Sequence, residues 1–127
     1  MEKNSKHEAL KTEIERENYT RAAYLAASLN LADNELKRIQ YQALWQMAAI
    51  YRNTHGTKAL AQQYGYSKQE VKQILEDHAK QMRKRGNSRP FKARYDCTTG
   101  KYLTFEEWIN LCIEKWHKLQ ILFVLSN

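Results

Sequence analysis

A chain of 127 residues is of single-domain size, and 43% apolar content with eight Tyr and three Trp supplies enough buriable surface for one core. Its formal charge is +7, from 21 Lys and Arg against 14 Asp and Glu, so an anionic partner suits it. Cys97 and Cys112 lie too far apart to suggest a disulfide scaffold or a metal site, and they read as ordinary thiols of a reduced, cytoplasmic protein.

Residues 1–17 are charged almost throughout, unlike a signal peptide, and the one unbroken apolar run, Ile121 to Leu125, is too short to span a bilayer. No membrane contact is expected. The four Gly and the single Pro fall mostly where helices should stop, which predicts a mainly helical chain. It divides on paper into an N-terminal helix (1–33), a helical core (34–85), a basic loop or hairpin (86–104) and a C-terminal helix with an apolar tail (105–127), all within one domain.

Taken in order, residues 1–28 read as helix, with Ser5 and Glu8 at capping-box spacing and Leu10, Ile14, Ala22 and Leu25 on a loosely helical period. Asp33 or Asn34 is placed to cap the next element. From Glu35 to Tyr51, Leu36, Ile39, Ala43, Leu44, Met47, Ala48 and Tyr51 form one apolar stripe, with Lys37, Arg38, Gln40 and Gln46 facing away. Asn53 to Gly56 is a stop, and a short helix is expected to begin near Thr57.

That helix opens the segment around which the chain is organised. Ala61 is small enough for a second helix to cross close by, and Gly65 can adopt the left-handed backbone that ends the first helix. Ser67 and Glu70 supply a capping box for the second, which runs to about Arg85. Leu60, Tyr64, Val71 and Ile74 form the seam between the two. His78 reads as a partly buried structural histidine.

Beyond the stop at Gly86 to Pro90, residues 91–95 and 102–105 flank a turn-like Asp96 to Gly100. Alternation of Phe91, Ala93 and Tyr95 with Lys92 and Arg94 fits a β-hairpin, although an ordered loop would have nearly the same sequence. Thr104 and Glu107 form another capping box and start a helix running to about Leu119. Trp108, Leu111, Cys112 and Trp116 share one of its faces.

Charge is unevenly distributed. Between Tyr51 and Arg94 there are 11 basic side chains and three acids, so this segment carries +8 and the remainder −1. The excess coincides with the two short helices and the stretch just C-terminal to them.

Residues 57–75 resemble the helix-turn-helix of bacterial and phage transcription regulators. The resemblance implies a tri-helical core whose second motif helix enters the major groove of double-stranded DNA. Carried onto this sequence, Ser67, Lys68, Gln69, Lys72 and Gln73 would meet base edges. Thr57 and Lys58 would hold phosphates at the start of the first motif helix, and Arg83, Lys84, Arg85, Arg89, Lys92 and Arg94 would add phosphate contacts from the wing-like region. It also implies a homodimer, through the C-terminal helix or, in its place, the N-terminal one. No cofactor is expected. The rival expectation is a helical interaction or accessory protein with a basic docking surface, serving replication, conjugation or RNA. Enzyme function is not expected, since no Gly-rich phosphate loop or nucleophile–base arrangement is legible.

Overall fold

The computed structural model describes residues 2–126, with side chains over residues 5–116. Among the described residues the chain is mainly helical, with six α-helices and one two-stranded antiparallel hairpin. It falls into two compact units, residues 1–46 and 47–127.

The first unit holds α1 (Glu2–Glu15), α2 (Tyr19–Ala27) and α3 (Asp33–Trp45). The single helix expected over residues 1–28 is interrupted. Glu17 takes a positive φ of 59°, and the Asn18 side chain donates to the Glu13 carboxylate at 2.9 Å, so the chain turns there. Because α1 already runs from Glu2, Ser5 lies inside the helix and caps nothing. Neither Asp33 nor Asn34 caps α3: Ala32 occupies the cap position without a side-chain bond, and Asp33 sits in the first turn.

The core of this unit joins Leu10 to Ala22 and Ala26, with Leu25, Leu29, Leu31, Leu36 and Ile39 packed around them. Alanines on the inner face of α2 permit that close approach, whereas Tyr24 faces solvent. Gln40, expected on the outer face, is buried. The α3 helix also stops short of Tyr51, giving way to a π-helical turn over Gln46–Ile50.

In the second unit, α4 (Thr54–Tyr64) begins three residues before the expected Thr57, because Asn53 caps it by accepting from the Gly56 N–H at 2.8 Å. It ends at Gly65, which is left-handed at φ 81°, while the Tyr66 N–H returns to the Ala61 carbonyl at 2.9 Å. Ser67 then caps α5 (Lys68–Lys84) with the reciprocal bonds of a capping box: Glu70 N–H to Ser67 Oγ at 3.2 Å, and Ser67 N–H to Glu70 Oε1 at 3.0 Å. Val71, Leu75 and Ala79, one turn apart along α5, are buried, as are Leu60 and Ala61 of α4. Ile74 and Tyr64 are only partly covered, so Leu75 takes the deep position expected of Ile74.

A 3₁₀ turn (Arg89–Phe91) leads into β1 (Arg94–Asp96) and β2 (Lys101–Leu103), paired Arg94 with Leu103, Tyr95 with Tyr102 and Asp96 with Lys101. The hairpin is therefore shorter than 91–105: Phe91 belongs to the turn before it and Phe105 to the helix after it. The Asp96 carboxylate accepts from the Thr99 N–H and hydroxyl at 2.9 and 2.7 Å, and Gly100 has the positive φ that closes the loop. These bonds hold the Asp96 carboxyl below its ordinary range.

The α6 helix (Phe105–Ser126) starts at the Thr104–Glu107 capping box and contacts α4, α5, β2 and the 3₁₀ turn. Phe105 is fully buried, stacked on Trp108 and met edge-on by Phe91, and Ile109, Cys112 and Trp116 further along α6 are buried as well. The apolar run at 121–125 lies outside the described side chains. No described helix is long and apolar enough to cross a membrane.

Candidate nucleic-acid interface

The bend at Gly65 and the cap at Ser67 fix where α5 starts, and burial of Val71, Leu75 and Ala79 fixes its rotation. A helix turned this way must present positions 69, 72 and 73 outward. Ser67, Gln69, Lys72 and Gln73 are exposed and Lys68 is half-exposed, so the five proposed base-contacting residues share the open N-terminal half of the helix.

Two of them have partners one turn further on. Lys72 Nζ lies 3.9 Å from Glu76 Oε1, and Gln73 Nε2 donates to Asp77 Oδ1 at 2.9 Å. Solvated pairs of this spacing contribute about 0.2–0.5 kcal/mol each, so an incoming base edge can displace them. They nevertheless place two acids, Glu76 and Asp77, next to the outward Lys72 and Gln73.

The residues expected to contact phosphate separate into distinct groups. Thr57 is 0% exposed, and its hydroxyl donates to the Asn53 carbonyl at 2.8 Å. Its assignment as a phosphate contact is therefore corrected: with α4 starting at Thr54, position 57 falls a turn inside and faces the core. Lys58 is half-exposed, and Lys84, Arg85, Arg89 and Lys92 are exposed.

Arg83 and Arg94 are engaged within the fold. Arg83 forms an ion pair with Glu106 of α6 and lies over the Phe91 ring, 4.2 Å from its centroid. Arg94 donates to the Ile50 carbonyl at 2.6 Å. A cleft of about 280 Å³ between α5 and α6 has Ala79, Phe105 and Ile109 in its lining, with Lys72, Glu76, Arg83 and Glu106 around it.

Arg52 escaped sequence reasoning except as one more positive charge. It reaches the Leu103 carbonyl at 2.7 Å, Lys92 at 3.2 Å and Pro90 at 3.4 Å, stitching the hairpin and the 3₁₀ turn to the segment before α4. Burial and then neighbouring Arg94 lower its pKa. No sequence signal marks such a role, because all three acceptors are main-chain carbonyls. His78 is half-buried, and burial, followed by the charge of Arg85, pushes its pKa down.

Fold and site together define a mainly helical protein with an exposed, capped helix and a cation-rich surface. Comparison with known protein families, curated proteins and solved structures gave no match.

Proposed function

We propose that this chain is a sequence-specific double-stranded DNA-binding protein, a small transcription regulator of the helix-turn-helix kind that reads the major groove with α5. The observation that carries the reading is the open N-terminal half of α5. Lys68, Gln69, Lys72 and Gln73 stand there just beyond a left-handed glycine, on a segment of charge +8. Lysine donates to guanine acceptors, and glutamine pairs with the adenine edge. Ser67 completes the base-facing set.

Lys58, Lys84, Arg85, Arg89 and Lys92 hold phosphates under this reading. Five such contacts give a log-log salt slope of roughly −4.5. The protein acts in the cytoplasm as a homodimer, through α6 or α1, so that two α5 helices meet two half-sites.

Glu76 and Asp77 favour a second reading, an accessory protein whose basic surface docks a partner, since acids on a groove-facing helix repel phosphate. Duplex fragments selected from random sequence, followed by fluorescence anisotropy at two salt concentrations, decide between them. Lys68→Ala and Gln69→Ala should each weaken the selected site by about 1–3 kcal/mol relative to random duplex. Equal loss on both duplexes, or no loss, refutes groove reading.

A further inference from the structure

One face of the hairpin is left over by the groove reading. Tyr95 and Tyr102 are direct cross-strand partners, and side chains alternate along a strand. Within the two strands, that face therefore carries these two rings alone. The opposite face carries Arg94, Asp96, Lys101 and Leu103, of which Leu103 is buried and Arg94 reaches the Ile50 carbonyl.

Tyr95 is 60% exposed and Tyr102 70% exposed. Their centroids lie 5.6 Å apart with planes at 69°, so one ring forms a floor and the other a wall. Cross-strand packing helps hold a hairpin, but it does not require most of both rings to stay in water.

This corner stands on a fixed base. Arg52 bonds the Leu103, Lys92 and Pro90 carbonyls, and Asp96 closes the loop through Thr99. Its surroundings are cationic: residues 89–102 contain Arg89, Lys92, Arg94 and Lys101 against one acid, Asp96, whose carboxylate already accepts two hydrogen bonds. Open aromatic rings beside exposed cations suit a ligand that alternates flat π-surfaces with phosphates. In a duplex those surfaces are covered by neighbouring bases, whereas a single strand offers them.

We propose that the Tyr95–Tyr102 face is a stacking site for an unpaired base of single-stranded DNA, with Arg89 and Lys92, from the segment leading into the hairpin, holding the adjacent phosphates. Its two rings lie outside the base-facing set of α5, and only the phosphate contacts Arg89 and Lys92 are shared with the duplex reading. A base lies on one ring and abuts the other, and the strand backbone runs along the cations.

The test uses the full chain and fluorescence anisotropy with three labelled probes of about twelve nucleotides, within the usual site size. They are an oligothymidylate, an abasic strand with the same phosphates, and a duplex. The wild type should bind oligothymidylate roughly 5- to 150-fold more tightly than the abasic strand, the range expected for one stacked base. Tyr95→Ala and Tyr102→Ala should fall to the abasic level, Tyr102→Phe should stay within about twofold of wild type because the ring remains, and duplex affinity should not change.

Equal binding of the abasic and base-bearing strands by the wild type overturns the proposal, even if the alanine variants fail to fold. So does full oligothymidylate affinity in folded alanine variants. Lys68→Ala tests the other reading independently: it should weaken duplex binding and leave strand binding intact.

Discussion

Replacing Gly65 with alanine tests the bend between α4 and α5 with little other disturbance. The residue sits at φ 81° and ψ 25°, and a Cβ built there meets no atom within 4 Å. No clash contributes, so the whole cost is conformational. Holding an L-residue left-handed costs about 1–2 kcal/mol, and the stiffer unfolded chain returns roughly 0.4–1 kcal/mol. The net expectation is a loss of about 1 kcal/mol, within a span of roughly 0–1.6 kcal/mol. Urea unfolding followed by tryptophan fluorescence reads it, since Trp108 and Trp116 are both buried in the same unit. Gly65→Asn should lose less, because asparagine tolerates this conformation better. A raised midpoint for Gly65→Ala would refute the reasoning, since only a position with helical φ gains from that substitution.

Arg52→Lys keeps the charge but cannot reach three carbonyls on separate segments. With bonds from a charged donor contributing about 1.5–3 kcal/mol, a loss of roughly 2 kcal/mol is expected, and wild-type stability in the lysine variant would remove the clamp from the account. The Tyr64 hydroxyl is buried without a hydrogen-bond partner among the described residues, and burial pushes its pKa up to about 12. A raised folded pKa means the contribution is complete below the ordinary value of 10.0 and is lost as pH rises from there toward about 12. Tyr64→Phe should therefore be neutral or slightly stabilising at pH 7 and should flatten the alkaline loss of stability. A neutral-pH destabilisation above about 1 kcal/mol would show that the hydroxyl is satisfied after all.

Much of the local structure was readable because its causes lie within a few residues. The Ser67–Glu70 and Thr104–Glu107 boxes each close between positions three apart, and Gly65 and Gly100 supply φ values that other residues resist. Where sequence reading failed, two local signals competed or the decisive partner was remote. Asn53 outcompeted Thr57 as the start of α4, and that shift alone turned Thr57 from a surface hydroxyl into a core residue. The break at Glu17 was hidden because charged residues there are compatible with either helix or turn.

The amino-acid order by itself determined the helical class, the bend at Gly65, the capped start of α5 and the position of the cation-rich segment, all properties of short stretches of chain. Which cations remain free was decided only by the tertiary structure. Arg52 meets the Leu103 carbonyl across 51 positions, Arg94 meets Ile50 across 44, and Arg83 is claimed by Glu106. The physical reason is reach: a guanidinium at the end of a long side chain can satisfy any carbonyl or carboxylate that folding brings near it. Nothing in the neighbouring sequence says which one that will be.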